Sequence, residues 1–234
     1  MTASPISGAC PPRFAAVRAA FEANFAEGQE LGARFCLAID GAVVVDLIGG
    51  FADRARTRTF DAATLTPVYS TTKAMAALLI ARLVGQGRLS YGQTVAEVWP
   101  EFGQAGKEAV TVEQALSHQA GLAGFPEAMD PALWFDWEAI CARLAAMAGA
   151  ERIRGQDLVL PYAMSWGAGF MRNVPNLIYG TGRDTFGHSG WGGSCVFADP
   201  ARRVSGAYVM NRQSAELIGD PRARRLIDAA YEGL

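Results

Sequence analysis

The sequence predicts an α+β fold, with one antiparallel β-sheet formed by the N- and C-terminal parts of the chain and flanked by helices. Two hairpins carry that expectation. The strand-like runs 35–39 and 43–48 flank Asp40-Gly41, a pair that accepts the left-handed backbone of a two-residue turn. Near the other end, runs 194–198 and 204–210 flank the turn Asp199-Pro200-Ala201-Arg202. Helical patterns occupy the space between, so the order is helix, strands, helices, strands, helix.

Taken in order, residues 11–26 read as a helix, with Phe14, Val17, Phe21 and Phe25 at helical spacing and prolines at its start. Gly49-Gly50 ends the first hairpin, and an arginine-rich polar loop, 53–58, leads back toward Pro67. An alanine- and leucine-rich helix then runs to Val84 and stops at Gly85-Gln86-Gly87. Because it is apolar nearly all round, with Arg82 its one charge after Lys73, it is expected to be buried. Thr111 and Gln114 have the form of a capping box. Residues 133–147 are expected to form one further helix, 157 onward strands and turns, and 222–231 a closing helix.

Composition narrows the function. Half of the 234 residues are hydrophobic, the net charge is −2 and the arginines are scattered, so nothing points to nucleic acid. No stretch is long and apolar enough to span a membrane, and residues 1–8 lack the basic and apolar regions of a leader, so a cytoplasmic location is expected. Cys10, Cys36, Cys141 and Cys195 are far apart and lack metal-ligand spacing; they are expected to be free thiols, with neither metal nor cofactor bound.

The most informative stretch is Ser70-Thr71-Thr72-Lys73. Pro67 disfavours helix at Thr66, so the helix is expected to begin near Ser70. A helix N-terminus offers unpaired N–H groups and a favourable field for developing negative charge beside the serine. Lys73 lies one turn on, along the same face. A serine needs a neighbour to take its proton, and a lysine serves once burial has destabilised its ammonium. The chain has only two lysines, Lys73 and Lys107, among 21 basic residues. The plain alternative makes Ser70 an N-cap and Lys73 a surface charge.

Together with the Leu116–Leu122 segment and Gly187-His188-Ser189-Gly190, the Ser70–Lys73 motif resembles serine β-lactamase-like hydrolases, in the class C β-lactamase and family VIII carboxylesterase branch. The resemblance runs from about Leu31 to Leu234. It implies a single β-lactamase-like domain over 1–234, with 31–66 and 157–234 as the sheet half and 70–150 as a residual helical part. It also implies that Ser70 is the nucleophile, Lys73 its proton-handling partner and His188-Ser189-Gly190 the third motif. The backbone N–H groups of Ser70 and Trp191 would then form the oxyanion hole. Gly190, Gly192 and Gly193 allow the close backbone approach that such a site requires. Without the family, His188 reads equally as a histidine in a glycine-rich turn, and His118 as a helix-end residue complementing the dipole.

The sequence departs from the family at the second motif. No Y-x-N or S-x-N occurs, and none of the six tyrosines has an asparagine two residues on. The helical subdomain that carries this motif is therefore expected to be reduced, by natural deletion, by engineering or by a gap in the sequence. The expected function is that of a serine hydrolase, a carboxylesterase cleaving small esters through an acyl-enzyme on Ser70 and weakened by the missing tyrosine. Tyr162 is a candidate substitute. His188 in place of the lysine of K-T-G favours esters over β-lactams, because a lysine would better hold a β-lactam carboxylate. The alternative is a catalytically inactive β-lactamase-like binding module. No G-x-S-x-G elbow is present, which disfavours an α/β-hydrolase. The partner expected is a small-molecule ester, with no nucleic acid and no membrane. A homo-oligomer would form through the apolar patch Trp134-Phe135-Trp137, uncovered by the reduced subdomain.

Overall fold

The computed structural model describes residues 4–122, 129–146 and 163–234, with the side chains of Pro131 and Trp134 also outside the description. Two compact units emerge, Met1–Met75 with Phe170–Leu234, and Ala76–Gly169. Among the described residues the helices are α1 (Ala15–Ala26), α2 (Thr72–Gly85), α3 (Val112–Leu116), α4 (Trp137–Ala146) and α5 (Pro221–Glu232). The strands are β1 (Ile6–Ala9), β2 (Gly32–Ile39), β3 (Ala42–Gly50), β4 (Met171–Arg172), β5 (Phe186–Ser189), β6 (Cys195–Asp199) and β7 (Val204–Met210).

The first unit is built on a seven-stranded sheet in the order β1-β3-β2-β7-β6-β5-β4, antiparallel at every pairing. Both expected hairpins are present. Asp40 and Gly41 have φ of 53° and 78°, as the tight turn between β2 and β3 requires. The two ends of the chain meet where β2 pairs with β7 from Ala33↔Met210 to Ile39↔Val204. Register places Leu47, Phe35, Tyr208 and Cys195 side by side across four strands, and all four are buried. Helix α1 packs against α5, and Phe14, Val17, Phe21, Leu226 and Ile227 are buried. Each such side chain contributes about 1.5–3 kcal/mol through removal from water.

Strand β1 carries no alternating pattern and was not expected from the sequence. It pairs with β3 because Gly8, at φ 108°, lets the Asp46 carbonyl lie where a side chain would otherwise stand.

Two expectations about helices are corrected. Helix α2 is not buried all round: Ala74 and Ala77 are, whereas Met75, Leu78 and Leu79 are 58%, 53% and 61% exposed. The residues it buries fully are small, whereas Ile80, Leu83 and Val84 are half-buried and Met75, Leu78 and Leu79 lie open. Residues 133–147 do not form one helix. A 3-10 turn, Pro131–Phe135, is separated from α4 by Asp136, whose backbone is extended and whose carboxylate caps α4 by accepting the Ala139 N–H at 3.0 Å. Phe135 and Trp137 are 93% and 76% exposed.

In the second unit the capping box forms as expected, Thr111 accepting the Gln114 N–H and Gln114 accepting the Thr111 N–H. Lys107 is fully buried there, its ammonium donating to the carbonyls of Gln104 and Ala145, both at 2.9 Å. No helix among the described residues is long and apolar enough to cross a membrane.

Candidate active site

Ser70 stands in a 3-10 turn, Tyr69–Thr71, that runs directly into α2. Tyr69, immediately before it, has φ of 46°, a left-handed conformation that a side chain disfavours. The strained backbone turns the chain sharply at the serine. Ser70 is half-buried, and its N–H falls in the first turn, where no intrahelical acceptor exists.

Lys73 follows one turn later and its Nζ donates to Ser70 Oγ at 2.8 Å. Partial burial of the ammonium lowers the Lys73 pKa from its ordinary value. The pair therefore has both requirements for nucleophile activation, contact and a base easier to deprotonate.

Strand β5 brings the third motif to this turn. A Cβ on Gly190 would run into the Val68 carbonyl oxygen and crowd Ser194 Oγ and Thr71 Oγ1, so glycine is required there. The contact is fastened by hydroxyls: Ser194 Oγ donates to the Val68 carbonyl at 2.9 Å, and Thr71 Oγ1 lies 3.0 Å from Ser194 Oγ. Trp191 is 55% exposed and its ring tilts against Tyr69, itself 49% exposed, with centroids 5.9 Å apart. Two half-open aromatic rings thus meet beside the serine turn, Tyr69 from the turn itself and Trp191 from the residues that follow β5.

His188 and Ser189 are both buried. His188 Nδ1 lies 2.8 Å from the Ser189 carbonyl oxygen, and Ser189 Oγ pairs with Tyr179 OH at 2.9 Å. Burial raises the Tyr179 pKa and keeps the phenol neutral. In the second unit the His118 and Trp166 rings meet at a tilt of 53°, centroids 4.6 Å apart. Tyr162 and the side chain of Trp134 lie outside the described residues.

Ser70, Lys73, Gly190 and Trp191 are thus gathered around one turn, whereas the side chains of His188 and Ser189 are engaged within β5 and with Tyr179. The pairing of Thr71 with Ser194, which holds the serine turn to the segment between β5 and β6, lacked any signal in the sequence. The strain at Tyr69 was likewise invisible there. Among the described residues no three His, Cys, Asp or Glu side chains are grouped to hold a metal ion.

The sequence profile described as Beta-lactamase matches residues 17–150 and 146–230. The chain belongs to the beta-lactamase family. Among curated proteins, an esterase/beta-lactamase named LipL, from Mycobacterium tuberculosis, is 38% identical over 161 residues. That match takes in 69% of this chain and 37% of the relative, so it spans little more than a third of the relative's length. Two solved beta-lactamase-like folds resemble this one along nearly its whole length. A penicillin-binding protein homologue from Caulobacter crescentus is 44% identical, with a TM-score of 0.92 over 98% of this chain and 100% of that one. A family VIII carboxylesterase is 31% identical, with a TM-score of 0.91 over the same shares, 98% and 100%. The seven-stranded antiparallel sheet with its helices is thus the β-lactamase/transpeptidase-like fold.

Proposed function

We propose that the chain is a serine hydrolase that cleaves small carboxylic esters through an acyl-enzyme on Ser70. The observation that carries this reading is the 2.8 Å contact between Lys73 Nζ and Ser70 Oγ, with the lysine pKa lowered by burial. In its neutral form Lys73 takes the Ser70 proton as Oγ bonds to the ester carbonyl carbon. The carbonyl oxygen becomes an oxyanion facing the backbone N–H groups of Ser70 and Trp191. Collapse of the tetrahedral intermediate breaks the bond to the alcohol, which leaves with the proton held by Lys73. Water then attacks the acyl-enzyme by the same route, releasing the carboxylic acid and restoring Ser70. His188 and Ser189 contribute through β5, as the buried strand that carries Gly190 and Trp191 to the serine turn.

Esters are favoured over β-lactams by His188 in the place of the K-T-G lysine, and by the likeness to a family VIII carboxylesterase. The absence of a Y-x-N motif removes one proton-transfer group, and such groups are typically worth about 10²–10⁴-fold in rate. Turnover is therefore slow. That same absence supports a second reading, an inactive module that binds its ligand without cleaving it.

Intact-protein mass after exposure to a serine-reactive fluorophosphonate separates the two. The expected result is one phosphonyl adduct, formed with loss of fluoride, in the wild type and none in Ser70→Ala. A folded wild type that takes no adduct would overturn the hydrolase reading in favour of the binding module.

A further inference from the structure

Beyond Trp191 the chain makes a tight turn whose two central residues are held from below. The Gly193 N–H donates to the Gly190 carbonyl at 3.1 Å, placing Trp191 and Gly192 at the corners. In a trans peptide the N–H points opposite to the carbonyl of the preceding residue, so the bond to the Gly190 carbonyl also sets the direction of the Trp191 N–H. Gly192 is pinned at both of its own groups. Its N–H donates to the Glu216 carbonyl at 3.1 Å, and its carbonyl accepts the Ser214 N–H at 3.0 Å and Arg222 Nη2 at 2.9 Å.

Arg222 is 4% exposed. Asp220 grips it with both oxygens, Nε donating to Oδ1 at 3.0 Å and Nη2 to Oδ2 at 2.8 Å. Its Nη1 donates to the carbonyl of Arg212 at 2.8 Å and to Glu30 Oε2 at 3.3 Å. Asp220 is fixed in turn by Ser214 Oγ at 2.7 Å and by the first turn of α5, whose Arg222 N–H it accepts at 2.9 Å. A Cβ on Gly193 would strike the Asp220 carboxylate and Arg222 Nη2, so the turn rests directly on this pair. Burying an arginine with two carboxyl groups is a poor way to gain stability, since apolar residues of similar volume often do as well. Here the planar fork delivers a donor to one particular carbonyl, which a lysine held at Asp220 cannot reproduce.

We propose that Arg222 is a positioning residue for the hydrolysis: by gripping the Gly192 carbonyl it holds the 190–193 turn in the geometry that aims the Trp191 N–H at the substrate oxyanion. The proposal rests on the assignment of Trp191 to the oxyanion hole under the proposed function. It goes beyond that assignment by naming a residue that touches neither Ser70 nor the substrate.

The test compares the full chain with Arg222→Lys and with Asp220→Asn, which keeps the cap of α5 but weakens the hold on the guanidinium. Amide hydrogen exchange is read at Gly192 and Gly193, and in β2 and β3 as the reference. Hydrolysis of p-nitrophenyl acetate is followed alongside, with Ser70→Ala as the background. Loss of one oxyanion donor typically costs about 10²–10³-fold in kcat, so a misdirected one should cost about 10–100-fold with KM changed less than about threefold. The expected result is that loss together with exchange at Gly192 and Gly193 at least about tenfold faster and unchanged exchange in β2 and β3. Should Arg222→Lys fail to fold, the Asp220→Asn variant carries the same comparison. Unchanged exchange at the two glycines overturns the proposal whatever happens to the rate, as does faster exchange with unaltered kcat. A wild type no more active than Ser70→Ala would instead overturn the hydrolase reading, and the exchange result would still show whether Arg222 holds the turn.

Discussion

Gly190 lies so close to Val68 that its missing side chain leaves room only for the Val68 carbonyl oxygen. Strand β5 and the serine turn therefore meet backbone to backbone, and the distance between them is set by hydroxyl contacts of Thr71 and Ser194. Gly190→Ala is expected to force the two apart. Overpacking of this kind costs about 1–3 kcal/mol, read by thermal or urea denaturation. The rate of Ser70 phosphonylation should fall with it, since the Trp191 N–H moves with the strand.

Lys73 should be irreplaceable as a base. Lys73→Ala is expected to lower the acylation rate by about 10²–10⁴-fold, and Lys73→Arg nearly as much, because a guanidinium keeps the charge but cannot accept the proton. In the wild type the rate should climb with pH as Lys73 loses its proton, over a range below that of an ordinary lysine, because burial lowers its pKa. A pH profile of fluorophosphonate labelling checks both points, and a rising limb that persists in Lys73→Arg would exclude Lys73 as the base.

Glu30 predicts a pH dependence of stability. Burial pushes its carboxyl from 4.5 up to about 8 against the opposing pull of Arg222. The native state thus keeps the proton between pH 4.5 and about 8, while the unfolded chain releases it. Stability from this group is full below pH 4.5 and declines as pH rises toward 8, with a slope of at most ~1.4 kcal/mol per unit. Glu30→Gln mimics the protonated form, and its amide can face Tyr208 while its oxygen faces Arg222. Urea titrations should show the variant gaining on the wild type from pH 5 to pH 8.

Tyr69 carries backbone strain at φ 46°. Because a left-handed residue with a Cβ costs roughly 1–2 kcal/mol, Tyr69→Gly should be more stable than Tyr69→Ala by about 1 kcal/mol. Equal stability of the two variants in denaturant would mean that the strain is absent in solution.

Local chemistry was what the sequence made legible. Asp40-Gly41 specified a hairpin, Thr111 and Gln114 a cap, and the three-residue step from Ser70 to Lys73 a contact, because each feature is decided within one turn of chain. Features decided by distant partners were not. The exposed side of α2 could not be recognised because leucines at positions 78 and 79 look alike whether covered or open. The break at Asp136 was hidden inside a helix-like run until its carboxylate was seen to cap the second half. In the site, Thr71 finds Ser194 and Arg222 finds Gly192 across 123 and 30 residues of chain, with no local pattern to announce either contact.

The pairing of β2 with β7 has a consequence for biosynthesis. Phe35 and Leu37 are made early, but the strand that covers their edge, Val204–Met210, leaves the ribosome more than a hundred and sixty residues later. At about 5–20 residues per second, that interval is on the order of ten seconds or more. Throughout it the nascent hairpin presents an unpaired, apolar edge, so this chain should lean on chaperones that meet it during synthesis, well before its serine is in place.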